Sequence, residues 1–192
     1  MMVEKVVVAD KSEHEVKNNQ ENIRMLDWSW LPFQDLSASQ TYDMLALRQQ
    51  VFVVEQKCVF QDADGIDQQC WHGLGYLPNA GLVAYARIAP PGVVYAEASI
   101  GRVVTASTLR GMNAGHALMN QAMAQVAKLF PGHAIKIGAQ AHLQRFYGRY
   151  GFERIGEVYD EDGIPHIQMI TTSMPNSSTF MHDETIAKIR KS

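Results

Sequence analysis

Apolar positions along this chain follow two rhythms. Between 37 and 56, Met44, Leu47, Val51 and Val54 recur at three- and four-residue steps, which predicts a helix with one apolar face. Ser37 or Ser39 is its expected cap, because a side-chain oxygen can accept from the unpaired N–H groups of a first turn. From 114 to 130 the helical rhythm is clearer. Leu118, Met119, Ala122, Met123, Val126, Leu129 and Phe130 make one stripe, and Pro131-Gly132 ends it. Other stretches read as strands. "WHGLGYL" (71–77) and "LVAYARIA" (82–89) are joined by Pro78-Asn79-Ala80-Gly81, a hairpin signal. "VVYAEASIGRVVT" (93–105) predicts one longer strand, and "AIKIGAQA" (134–141) places Ile135 and Ile137 on one face. "HLQRFYGRYGF" predicts a short helix closed by Gly151, and the segment from Phe152 to Thr172 a hairpin turning at Glu161-Asp162-Gly163.

The order is thus helix, strand pair, long strand, helix, strand, helix, strand pair. It predicts an α/β fold, in the α+β sense of one mixed sheet, with a strand–helix–strand crossover at its centre. Residues 1–24 are rich in Glu, Lys, Asn and Gln and read as a polar N-terminal extension. The domain is expected over 25–172. Residues 173–192, with a Pro-Asn-Ser-Ser break and a short charged segment, read as a C-terminal tail.

Composition narrows the function. A chain of 192 residues, 46% hydrophobic and 19% charged, is ordinary for one globular domain. Its 17 basic and 20 acidic residues give a net charge of -3 with no basic block, which argues against a nucleic-acid partner. No apolar run approaches the roughly 20 residues of a membrane helix, and the N-terminus lacks the long apolar stretch of a signal peptide. The expected location is the cytoplasm, with no membrane partner. Cys58 and Cys70 make no disulfide framework. Cys70 lies near His72, Asp62, Asp64 and Asp67, but this spacing matches no four-ligand zinc pattern, so no metal is expected.

"TLRGMNAGHALM" (108–119) carries the chemistry. A glycine-bearing turn leads from strand-like residues into a helix, whose N-terminus exposes unpaired N–H groups and a partial positive charge. Such a turn can cradle a pyrophosphate, with Arg110 adding a charge-assisted contact. Equally, Gly111 can relieve a turn and Gly115 allow close packing. By itself the stretch leaves both readings open. It has neither the Gly-Lys-Ser/Thr of a Walker loop nor the Gly-x-Gly-x-x-Gly of a dinucleotide fold.

Its context resembles the GNAT N-acetyltransferase superfamily. That family's pyrophosphate loop reads Gln/Arg-x-x-Gly-x-Gly/Ala after a long strand; here Arg110 fills the first position, Gly115 the last, and Asn113 replaces the usual Gly. Asn tolerates left-handed backbone better than most residues. "RFYGRYGF" looks like the family's Phe-Tyr-x-x-x-Gly-Phe signature, while "FVVEQ", "GAQAHLQRFY" and "EDGIPH" resemble its ElaA-type branch. The resemblance spans Trp28 to Thr171.

The resemblance implies a mostly antiparallel mixed sheet flanked by helices, and transfer of the acetyl group of acetyl-CoA to a primary amine of a small molecule. It assigns the pantetheine arm to the backbone of Val103, Val104 and Thr105, in a strand that splays from its neighbour. The pyrophosphate falls to Arg110, Gly111, Met112, Asn113, Ala114 and Gly115, with Gln140 at the mouth. Tyr147 takes the role of acid to the leaving thiolate; its bland alternative is a packed core tyrosine. A backbone N–H near Val103 or Val104 would meet the oxyanion. The base is open among Glu55, Asp64, His142, His166 and a water chain; His142, just after the strand carrying Gln140, is the expected catalytic base in the mouth where cofactor and acceptor meet, and His166 either lines the same mouth or faces solvent. The acceptor side has two readings. Carboxylates at Glu55, Asp62, Asp64, Asp67, Glu161 and Asp162 suit a cationic amine, whereas Arg48 suits a substrate carboxylate. Glu55, Asp64, His166 and Arg48 are therefore the expected acceptor contacts. A homodimer is a compatible assembly. The competing functions are a non-catalytic acyl-CoA-binding module on the same fold and a metal-dependent protein using Cys58, Cys70 and His72.

Overall fold

The computed structural model describes residues 25–172. The expected extension (1–24) and tail (173–192) lie outside them. The strands are β1 (Asp27–Pro32), β2 (Trp71–Leu77), β3 (Gly81–Ala89), β4 (Ala98–Thr105), β5 (Ile135–Gln140), β6 (Glu153–Glu161) and β7 (Ile164–Thr171). The helices are α1 (Ala38–Arg48), α2 (Ala114–Leu129) and α3 (Gln144–Gly148). One sheet holds all seven strands in the order β1-β2-β3-β4-β5-β7-β6. Neighbours are antiparallel except β4 and β5, which run parallel because α2 carries the chain across between them. This is the mixed sheet flanked by helices that the alternation of elements implies.

The pleat of β3 sorts the two layers. Ala84, Ala86 and Ile88 face α2, where Leu118, Met119 and Met123 cover them. Tyr85 faces the other way, into a cluster with Met44, Leu47 and Val51 beneath the first helix. Ser37 caps α1: its Oγ accepts from Gln40 N–H at 3.2 Å while Ser37 N–H donates to Gln40 Oε1 at 2.9 Å.

Three elements depart from the sequence expectation. β1 had no strand signal of its own. It is an edge strand whose Trp28 and Trp30 are only half-buried and lie over Gly75 and Gly73 of β2, where any side chain would collide with the indoles. The expected strand from 93 begins only at Ala98, because residues before it turn; Gly92 N–H donates to Tyr95 O at 2.7 Å. The helix expected through 56 is α-helical to Arg48 and then widens into a π turn, Gln49–Glu55.

Candidate active site

β4 and β5 stay paired for only two positions, Ala98↔Ile135 and Ser99↔Lys136. Beyond them β4 follows β3 to the Ala84↔Thr105 pair, while β5 follows β7 to Gln140↔His166. The sheet therefore opens as a wedge. A bulge helps to open it: two residues of β4, Arg102 and Val103, stand opposite the single Ala86, and Arg102 has φ +49°. A cleft of about 420 Å³ fills the wedge, walled by Gly101–Val103 of β4 and Gly138–Gln140 of β5. Val103 lines it, whereas Val104 is buried on the face of β4 toward α1, and Thr105 ends the strand.

At the end of β4 the chain turns into α2. Gly111 has φ +73°, and Asn113, the N-cap, has φ +65° and ψ +13°, both left-handed. Met112 packs beside Leu109, and Ala114 is buried. Among the described residues no acceptor pairs with the N–H groups of Asn113, Ala114 or Gly115, and Asn113 makes no side-chain cap. Three N–H groups are thereby gathered at a positive helix end. A Cβ on Gly115 would stand 3.6 Å from the Phe146 ring, an ordinary contact. Arg110 pairs with Glu55 at the end of the π turn, so these two expected site residues neutralise each other at the rim.

α3 braces this corner. Phe146 packs against His116 of α2, with centroids 4.8 Å apart, and Tyr150 Oη lies 2.7 Å from His116 Nδ1. Between them Tyr147 turns the other way and lines the cleft. It is 8% exposed, and burial pushes its phenol up to about 12, so it keeps its proton.

Arg48 does not face a substrate. It is fully buried, donating from Nε to Asp62 Oδ2 (2.6 Å) and from Nη1 to both Asp67 carboxylate oxygens (3.0 and 2.9 Å). Its Nη2 donates to Asp62 O at 2.9 Å. Arg87 pairs with Asp64 and Asp67 at 2.6 Å each. Arg102 Nε lies 2.8 Å from Asp62 Oδ1, an ion pair whose N–H is not aimed at the oxygen, and its Nη2 donates to Asp64 at 3.2 Å. Three arginines and three aspartates thus cancel, and they tie the 56–66 loop to α1, β3 and β4. The expected carboxylate-binding role of Arg48 gives way to this cluster. Sequence reading missed Arg87 and Arg102; a charge inside the apolar run "LVAYARIA" was the available signal.

Asp64 lines the cleft. Burial pushes its carboxyl up, but hydrogen bonds and charge from Arg87, then Arg102, outweigh that and hold it at about 2. Gln140 also lines the cleft and donates to Gln56 Oε1 at 3.2 Å. His142 is exposed on the turn before α3 and is not part of the cleft wall. His166 does line it, with Nδ1 2.8 Å from Ile164 O. Tyr95 and Glu161 complete the acceptor side, and neither Glu161 nor Asp162 has an ion-pair partner among the described residues.

Of the side chains weighed as metal ligands, His72 and Cys70 make other contacts. His72 is buried between Tyr85 Oη (2.8 Å) and Asp67 O (3.0 Å), and Cys70 Sγ donates to Ile66 O at 3.2 Å. Among the described residues no three His, Cys, Asp or Glu side chains gather as a metal site.

The Acetyltransferase (GNAT) domain family matches residues 66–173. The UPF0039 protein sll0451 of Synechocystis sp. is 46% identical over 151 residues, covering 79% of this chain and 98% of that one. Protein ElaA of Escherichia coli is 46% identical over 147 residues, 76% of this chain and 95% of that one. Its crystal structure superposes with a TM-score of 0.72 over 77% of this chain and 99% of its own, at 44% identity. A Pseudomonas aeruginosa acyl-CoA N-acyltransferase superposes with a TM-score of 0.73 over 76% and 99%, at 42% identity.

Proposed function

Because the chain belongs to the GNAT acetyltransferase family, in its ElaA-type branch, we propose that it transfers the acetyl group of acetyl-CoA to a primary amine of a small cationic molecule in the cytoplasm. The observation that carries this reading is the parting of β4 from β5 after Ser99 and Lys136. It leaves an unpaired strand edge that leads directly to the three unpaired N–H groups of Asn113, Ala114 and Gly115.

These residues fit acetyl-CoA. Backbone groups of Val103 to Thr105 would hold the pantetheine arm by strand-like pairing, and the 110–115 turn would hold the pyrophosphate. Left-handed backbone at Gly111 and Asn113 shapes the turn, and Gly111 brings no side chain to that approach. Arg110 would exchange its Glu55 partner for a phosphate, and Gln140 would stand beside the arm on β5. Acetyl-CoA supplies an activated thioester. The bulge at Arg102–Val103 turns backbone out of the ladder, where an N–H can meet the developing oxyanion. Tyr147, still protonated, can give its proton to the departing sulfur.

Charge argues for a cationic acceptor. Arg48, Arg87 and Arg102 are each committed to aspartates, which leaves no unpaired arginine in the cleft wall for a substrate carboxylate. Glu161 and Asp162, by contrast, line the cleft with no cationic side chain paired to them among the described residues and would draw in an ammonium group. The test is thiol release from acetyl-CoA with tyramine, cadaverine and glycine as acceptors. Release with the first two and not with glycine supports the reading. Binding of acetyl-CoA with no amine-dependent release would support an acyl-CoA-binding module instead.

A further inference from the structure

Resting on the acetyl transfer proposed above, we propose that His166 is the general base that takes the proton from the acceptor amine. His166 lies on β7 opposite Gln140, the last residue of β5, where the wedge has opened. It lines the same cleft as Tyr147.

Its tautomer follows from one contact. Nδ1 is 2.8 Å from the carbonyl oxygen of Ile164. A carbonyl oxygen can only accept, so the proton is on Nδ1, and in the neutral ring the lone pair is on Nε2. The hairpin thus presents a basic nitrogen rather than a donor. The ring is also held in place: Tyr159 of β6 packs against it at 6.0 Å between centroids, and the next residue, Ile167, is buried in the core. Tyr159 of β6 stands opposite it, and the ionisable groups that share its cleft wall are Glu161 and Asp162 of the hairpin, Cys58 and Asp64 of the loop, Arg87 of β3, Arg102 of β4, Tyr95 and Tyr147.

Other candidate bases are engaged or misplaced. Glu55 ends the π turn and is not part of the cleft wall. Asp64 is clamped by Arg87 and Arg102, which makes it too acidic to draw a proton from an amine. His142 faces solvent outside the cleft wall. Glu161 is hydrogen-bonded to the Tyr159 hydroxyl.

The step balances. The acceptor enters as an ammonium and sheds its first proton to water at the mouth. As the neutral nitrogen bonds to the thioester carbonyl carbon, His166 Nε2 takes the second proton. The carbon–sulfur bond breaks, its electron pair goes to sulfur, and the sulfur takes the phenolic proton of Tyr147. Water then carries the proton of His166 back to Tyr147, so the protein ends as it began.

The discriminating variant is His166→Asn. Its amide nitrogen takes the place of Nδ1 and can keep the bond to Ile164 O, but it is not basic. His166→Gln is the second variant, should the first perturb the hairpin. With acetyl-CoA and whichever of tyramine or cadaverine the wild type turns over faster, kcat/KM should fall about 100-fold at neutral pH. The activity loss of the wild type on acidification should disappear from the variant's profile, while acetyl-CoA affinity by calorimetric titration stays within about twofold, since His166 is not assigned to the cofactor. Nitrogen NMR of the wild type at alkaline pH should show the Nδ1-protonated ring. An Nε2-protonated ring, or a variant with wild-type kcat/KM and an unchanged acid limb, overturns the proposal. Failure of the wild type to acetylate either amine overturns the acetyl-transfer reading and the base with it.

Discussion

Ser99 of β4 and Lys136 of β5 form the last pair before the two strands part. From Gly101 to Thr105, β4 keeps β3 on one edge and, among the described residues, has no strand on the other. Backbone amides on that edge are open to water until something pairs with them. Acetyl-CoA should therefore slow hydrogen exchange at 103–105 and at 111–115, and leave Ala98 and Ser99 unchanged. Exchange slowed elsewhere but not in these segments would contradict the assigned cofactor path.

Asn113 concentrates the backbone strain of the turn. Its φ of +65° suits Asn or Gly and disfavours a residue with an ordinary Cβ. Asn113→Ala should cost about 1 kcal/mol, lower the melting temperature by about 2–4 °C and weaken acetyl-CoA binding roughly tenfold. Asn113→Gly should keep both. A melting curve and a calorimetric titration on each variant decide the matter; equal losses in the two would remove backbone shape as the cause.

The 56–66 loop is held down by charge, and the hold is acid-sensitive. Asp64 sits at about 2, below the ordinary carboxylate value near 4. A depressed folded value means stability that is fully present above about pH 4 and lost as pH falls through about 2. Melting temperatures of the wild type should fall across that window. Asp64→Asn should lower them at neutral pH and flatten their slope between pH 4 and 2. A slope that is unchanged in the variant would assign the acid sensitivity to other groups.

Much of this architecture is legible in the residues. The Leu118-to-Leu129 stripe, both hairpin turns and the Ile135–Ile137 alternation each act locally, so periodicity and turn chemistry suffice to find them. Ser37 as cap and left-handed Asn113 follow from side-chain type in the same way. What stayed hidden is non-local. β1 is recognisable only once Gly73 and Gly75 are seen to make room for its indoles. Arg48 reads as a surface charge on a helix until Asp62 and Asp67, 14 and 19 residues away in the chain, close over it. By chain position His142, just after the strand of Gln140, is the expected base ahead of His166. The turn before α3 carries one outward, and the β7 pleat carries the other into the cleft. Motifs located the wedge, but only the fold shows which charges within it are already neutralised.

Tyr147 gives a sharper kinetic expectation. Raised to about 12, its phenol stays protonated through ordinary assay conditions, so loss of activity at moderately alkaline pH should not come from it. Tyr147→Phe should lower kcat by about 100-fold with little change in acetyl-CoA affinity or melting temperature. A fall in stability comparable to a core truncation, with kcat intact, would return Tyr147 to a packing role.

The most direct measurement follows the acetyl group itself. Acetyl-CoA labelled in the acetyl carbons is incubated with the protein and tyramine, and product and free thiol are counted together. The expected result is one labelled N-acetyl amine for each thiol released. Labelled acetyl-CoA bound and recovered intact, with no label on the amine, would contradict it.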